Sequence, residues 1–324
     1  MGPRPTARTS HQRGIVLRAG GLLALLLLLL IGLAGCRGVG DSSKPQPLSL
    51  KVKQPDGSSQ VSLPKPFKVK KEPSNDRDWL PELKVLPWAE LTGDDVTIHN
   101  VRNCEFFTYR DCVTDWYDKT YNLKGIKSVD FIVVPFAESP SIAHTMISFG
   151  FESGDYVGCS VEVRLERGQA YDTAIGLLGQ FELTYVIADE RDLIRSRVEH
   201  RNCDVYVYRT KATPEQARKL FIDVLKRVNQ LKEKPELYDT LSNNCTTNLL
   251  RHVEHIAPGS VPYDYRVLLP GFSDQLLYDQ KLIDTSLPFE EVKRRARVNE
   301  VAIKYRDDPH FSQRIRGERP SAAR

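Results

Sequence analysis

No two of the six cysteines are spaced C-x-x-C, so the usual spelling of a zinc ribbon or a thioredoxin-like redox pair is missing and no metal or other cofactor is expected. No internal repeat is visible. The longest apolar run, residues 21–35, falls short of the roughly 20 residues that span a bilayer comfortably. Acidic residues are absent from the first 35 positions, where Arg4, Arg8, Arg13 and Arg18 supply all the charge. The whole chain carries 46 basic and 42 acidic residues. Its excess of four is therefore those four arginines, and the remainder is near neutral. Such a balance gives no reason to expect nucleic acid or a polybasic membrane patch as partner.

What is present at the start is an export signal. A basic stretch, the run "GLLALLLLLLIGLAG" and small residues before a cut follow the secretory pattern. Leu33-Ala34-Gly35-Cys36 resembles the lipobox of bacterial lipoproteins, in which the cysteine is lipidated and becomes the new N-terminus. An uncleaved anchor is the alternative, and both place the rest of the chain outside the cytoplasm, tethered to a membrane. Arg37, where an aspartate would signal inner-membrane retention, favours the outer membrane. Residues 36–77, rich in Pro, Lys and Ser, read as a flexible tether. Residues 78–128 read as a strand-rich part of the folded domain, 129–305 as its core and 306–324 as a frayed tail.

Alternation of β-branched and aromatic residues bounded by turn formers predicts strands over 94–111, 129–138, 143–151, 156–165, 181–189 and 203–210. Glu152-Ser153-Gly154-Asp155 joins two of them as a hairpin. Helices follow. Thr213, Pro214 and Gln216 spell a capping box, ahead of a stripe formed by Ala217, Leu220, Phe221, Val224, Leu225 and Val228. A second helix opens in "YDTLSNNCTTNLLRHVEHI", with Asn243 or Asn244 as cap and Cys245 in its first turn. The class is α+β, an antiparallel sheet with packed helices.

Lipidation of Cys36 leaves an odd set: Cys104, Cys112, Cys159, Cys203 and Cys245. Cys104 with Cys112, or Cys159 with Cys203, are candidate disulfides, although connectivity is not readable from sequence. Cys245 is the one set apart, because unpaired N–H groups at a helix start favour a thiolate and can stabilise an oxyanion. A thiolate nucleophile wants a base. His252 and His255 share its helix but lie roughly 10 and 15 Å along the axis. His11 and His310 are terminal, His99 is on an early strand and His200 sits among charges, so His144 remains. A lone histidine on a strand is also an ordinary structural residue.

The blocks "SIAHTMISFGF", "CSVEVRLERGQAYD", "YVIADERDLIRSR" and "YDTLSNNCTTNLLRH" resemble, in this order, the Lnb N-terminal periplasmic domain, formerly a domain of unknown function (DUF4105-like), over roughly residues 95–285. The order of histidine before Asn-Cys is also similar to circularly permuted NlpC/P60 papain-like folds. The resemblance implies acyl transfer through a thioester on Cys245, with His144 moving the proton. Its namesakes are lipoprotein intramolecular transacylases, so the implied substrates are lipids or lipoproteins. Glu162, on the strand after the histidine, is the expected orienting group. Asn244, Thr246, Tyr185, Ser160 and Arg164 are expected to shape the oxyanion or acyl pocket. Arg164, Glu190 and Arg197 are read either as head-group ligands or as a structural ion network. A cysteine peptidase or amidase acting on wall peptides and a non-catalytic envelope scaffold are the other readings.

Overall fold

A computed structural model describes residues 71–171, 173–262 and 264–317. The leader, the lipobox cysteine Cys36 and most of the expected tether lie outside the described residues. Among these, no helix is long and apolar enough to cross a membrane.

The described residues form ten strands, eight before the first α-helix, β1 (Trp88–Thr92), β2 (Asp95–Arg102), β3 (Glu105–Phe106), β4 (Cys112–Val113), β5 (Trp116–Asn122), β6 (Ile126–Phe136), β7 (Ser139–Phe151) and β8 (Tyr156–Arg164), and two between later helices, β9 (Glu182–Ala188) and β10 (Tyr206–Arg209). Eight of them form one open sheet in the order β1-β2-β9-β8-β7-β6-β10, with β5 paired to β2. All pairings in it are antiparallel except the brief contact of β2 with β9 at Arg102↔Ala188. β3 and β4 make a separate two-stranded hairpin. The single strand expected over 94–111 is therefore divided. Asn100, at φ 61°, sits in a register shift within β2, a bulge that disrupts the ladder locally before pairing resumes at Val101↔Tyr117.

Eight α-helices are interleaved with or follow these strands among the described residues. α1 (Thr173–Leu177) and α2 (Glu190–Arg195) precede a π-helical turn over Ser196–His200. α3 (Pro214–Glu233) has the reciprocal capping box read from Thr213 and Gln216, at 3.2 and 2.9 Å. α4 (Cys245–Ile256) follows, then α5 (Ser273–Asp279), α6 (Phe289–Ala296), α7 (Asn299–Lys304) and α8 (Phe311–Arg314).

The central strands are buried on both faces, and this organises the molecule. On one face Val133, Ala143, Ile147, Phe149, Cys159, Val161 and Tyr185 pack with Phe221 and Val224 of α3 and Leu249 of α4. On the other, Ile132, Val134, Met146 and Val186 pack with Leu193 and Ile194 of α2, Val198, and Phe311 and Ile315 near the C-terminal end. Members of the two sets alternate along β6, β7 and β9, as the pleat requires.

Two boundaries differ from the sequence reading. Residues 306–317 are not a frayed tail: Phe311 and Ile315 are core residues, and Arg316 reaches Asp130 at 2.9 Å and Glu190 at 2.8 Å. The last residues of the expected tether are likewise engaged. Lys71 and Arg77 pair with the buried Glu182, and Asn75 accepts from Arg164 at 2.9 Å. The physical reason is shared. These segments are short of apolar periodicity but hold cations that neutralise buried carboxylates of the sheet. Replacing Arg316 by alanine leaves Glu190 buried without its cation, and a chemical-denaturation curve should show a loss of about 3 kcal/mol.

Candidate functional site

Cys245 is the first residue of α4, and the turn before it is tightly built. The Asp239 carboxylate accepts from Leu241 N, Ser242 N and Ser242 Oγ, and Asn243 N donates to Asp239 O at 2.9 Å. Asn244 is the N-cap. Its side chain accepts from Thr247 N at 2.9 Å, and its own N–H donates to Thr247 Oγ1 at 3.0 Å. Cys245 is buried, at 8% exposure, and Thr246 Oγ1, 3.7 Å from its Sγ, is its hydrogen-bond neighbour. Close by, Tyr171 meets Tyr238 edge-on at 6.3 Å, and Gly176 packs against Tyr238 and Thr240. Exposed Tyr171, Ile175, Leu178 and Leu241 give this end of the domain an apolar rim.

His144 belongs to a second cluster. Its Nε2 is 2.7 Å from Ser160 Oγ, and Ser160 Oγ donates to Glu162 Oε1 at 2.7 Å. Arg197 Nη2 donates to the same oxygen at 2.9 Å, and its Nη1 is held by Leu193 O. The charges fix the tautomer. Burial pushes the Glu162 carboxyl up, but Arg197 and Arg102 outweigh it and hold it well below the usual carboxylate range. An ionised Glu162 only accepts, so Ser160 must give it its single proton. Ser160 then has only lone pairs for the imidazole, and His144 must donate through Nε2–H. Nδ1 is left with a free lone pair and no hydrogen-bond partner among the described residues. Burial, reinforced by Arg197, pushes the imidazole down to about 3 against the opposing pull of Glu162. The ring is neutral at physiological pH.

The expected pairing of Cys245 with His144 is not made. No hydrogen bond joins them, and they serve opposite faces of the sheet. Thr145 Oγ1 lies 3.1 Å from Thr246 Oγ1, so Thr145 faces α4. The next residue on the strand, His144, must face away, toward Ser160, Glu162 and the turn carrying Arg197. The sequence shows the alternation along this strand but not which of its faces the Cys245 helix covers. In "AHTMISFGF" the residues that match a core face are Ala143, Ile147, Phe149 and Phe151, odd-numbered positions like Thr145.

The other candidates divide in the same way. Ser160 and Glu162 stand beside His144, with Glu162 Oε1 at 3.9 Å from Nε2 and Ser160 between them. Asn244 and Thr246 stand beside Cys245. Arg164 is not a pocket residue. It donates to Leu83 O, Lys84 O and Asn75 Oδ1 and lies 4.2 Å over the Trp79 ring, clamping the N-terminal segment. Glu190 is spent on Arg316, a structural pair.

Tyr185 is buried in a relay that sequence reasoning missed. Asp223 Oδ2 meets His252 Nδ1 at 2.6 Å, and His252 Nε2 meets the Tyr185 hydroxyl at 2.8 Å. That hydroxyl is 3.2 Å from Asn248 Oδ1, and Asn248 Nδ2 donates to Asn244 O at 2.9 Å. The chain thus runs from α3 to the backbone just ahead of Cys245. Distance along the helix ruled His252 out as a base for the thiol, and nothing local in the sequence points to Asp223 as its partner. Asp223 also lines a surface groove of about 400 Å³ with Lys219, Lys226 and His255.

The five described cysteines are free thiols. Cys159 packs in the α3/α4 core and Cys203 against the other one, so the candidate bridge between them is not formed. Cys203 also precedes β10 instead of lying in it.

An imidazole that is harder to protonate in the folded chain than in the unfolded one stabilises the fold above its unfolded pKa. That contribution is complete above about pH 6.5 and is lost as the pH falls toward 3. An NMR titration should find the His144 ring neutral at pH 5, and Glu162→Gln should leave Nε2 without its ordered acceptor and broaden the signal.

No curated protein and no solved structure matches the chain. The stretch that holds both clusters, residues 113–271, matches the family model of the Lnb N-terminal periplasmic domain. Residues 113–271 are thus similar to the Lnb N-terminal periplasmic domain, a likeness that fits a periplasm-facing place in the cell envelope.

Proposed function

We propose that the domain carries out acyl transfer or acyl hydrolysis on lipid or lipoprotein substrates of the envelope, with His144 as its proton acceptor. The observation that carries this reading is the chain behind the imidazole, Arg197–Glu162–Ser160–His144, which leaves a neutral ring with Nδ1 free. A base held in this way takes a proton from water, or from the amine of an acceptor, as that group attacks an ester carbonyl. Glu162, acting through Ser160, offsets part of the cost of charging the ring, which burial and Arg197 oppose, so the ring holds the proton only briefly. The proton then passes from Nδ1 to the departing alkoxide, which leaves as an alcohol. Arg201, close enough to act on the imidazole electrostatically, adds positive charge where an oxyanion would form.

A second reading keeps Cys245 as the nucleophile, with an acyl-thioester intermediate. One contact favours it: Thr145 against Thr246 sets the neighbours of His144 and Cys245 side by side. It goes with a permuted NlpC/P60 topology, and it requires the thiol to reach the histidine side of β7. The β7–β8 ladder stops at Met146↔Ser160, just short of His144, so the strands part where that movement would occur. In either reading a lipid on Cys36, with outer-membrane placement favoured by Arg37, would hold the domain within reach of its substrate. The apolar rim beside Cys245 suits an acyl chain.

A diacylglyceryl-cysteine lipopeptide incubated with the exported protein tests these readings. His144→Gln should slow acyl release or transfer about a hundredfold or more, while Cys245→Ala retains most activity. Loss in Cys245→Ala, with an acyl adduct on Cys245 in intact mass spectra, would establish the thioester route instead. Cleavage of wall peptides alone would reassign the domain as a peptidase. Full activity in both variants would remove His144 and Cys245 from the chemistry.

A further inference from the structure

The β3–β4 hairpin stands apart from the main sheet. Only Glu105↔Val113 and Phe106↔Cys112 are paired, and a ribbon this short is marginal by itself. Its tip exposes Phe107 and Tyr109, with Arg201 5.1 Å from the Tyr109 ring. Two thiols flank it. Cys112 faces Phe106 across the ribbon, and Cys104, two residues before Phe106, projects to the same side. The side chains of Cys104 and Cys112 are close enough to influence each other's ionisation. Cys104 is fixed from behind, because its N–H donates to Asp192 Oδ2 at 2.8 Å and Asp192 is itself paired with the buried Arg102. A domain facing the periplasm meets an oxidising compartment.

We propose that Cys104 and Cys112 form a disulfide in the exported protein, closing the hairpin, and that it arises by exchange with an exported protein disulfide acting as oxidant. This inference does not rest on the catalytic reading. The roles of the two sulfurs differ. The neighbouring Cys104 eases ionisation of the more exposed Cys112, whereas Cys112 and burial make Cys104 harder to ionise. The Cys112 thiolate attacks the oxidant's disulfide, breaking that S–S bond and releasing one thiolate. Cys104, giving up its proton, then attacks the sulfur of Cys112 in the mixed disulfide and releases the second. Two cysteines are oxidised, one disulfide is reduced to two thiols, and the two protons follow the released sulfurs.

The test uses full-length protein exported to a periplasm, with free thiols alkylated on denaturation. Trypsin cuts after the exposed Arg110, so a bridge keeps the two hairpin peptides joined and lighter by two hydrogens than the free pair. The expected result is that linked pair, with Cys159, Cys203 and Cys245 alkylated. Reduction should separate the peptides and lower the melting temperature of the intact protein by roughly 2–8 °C. Cys112→Ser, at the more exposed position, should show the same lower value without reductant. Alkylation of both Cys104 and Cys112 in the exported protein, or a bridge from either to Cys203, would overturn the proposal.

Discussion

A strand packed on both faces must hand successive side chains to two different cores, and the arrangement of this domain follows from that constraint. β7 shows it most sharply. Ala143, Ile147 and Phe149 enter the core beneath α3 and α4, while Met146 enters the core beneath α2 and the C-terminal segment. Polar residues obey the same pleat. Thr145 meets α4, and His144 meets Ser160 and Glu162 on the far side. Adjacent residues of one strand thus belong to unrelated chemical settings.

The histidine side is governed by charge. Glu162 is ionised because Arg197 and Arg102 outweigh the cost of burying it, and Arg102 is in turn balanced by Asp192. Removing one member of such a set leaves an uncompensated charge, so the set holds together as a unit. Its product is a defined imidazole tautomer, settled by counting the one proton that Ser160 has to give. The thiol side is governed by backbone geometry. The Asp239 turn, the Asn244 cap and the relay from Asp223 through His252, Tyr185 and Asn248 all converge on the first turn of α4. That relay, buried except at Asp223, supports the start of the helix without reaching the sulfur.

Both ends of the described chain are tied to the sheet by cations on buried carboxylates. Lys71 and Arg77 reach Glu182, and Arg316 reaches Asp130 and Glu190. Arg164 adds a clamp from within the sheet to the backbone of the segment before β1. These contacts give the face that carries His144 its cover, since Phe311 and Ile315 come with Arg316.

Local signals in the sequence determined a good deal. The hairpin of β7 and β8, the capping box at Thr213 and the helix opening at Cys245 all rest on contacts within a few residues. The α+β class and the grouping of Ser160 with Glu162 by period two rest on the same short-range periodicity. Tertiary structure alone decided the rest. It placed His144 and Cys245 on opposite faces, joined Asp223 to His252 across two helices, made Arg164 a clamp and docked residues 306–317. These depend on which face of the sheet each helix covers and on which distant carboxylate needs a cation. Neither is encoded by spacing along the chain, because burial on both faces makes the two faces of a strand look alike in sequence.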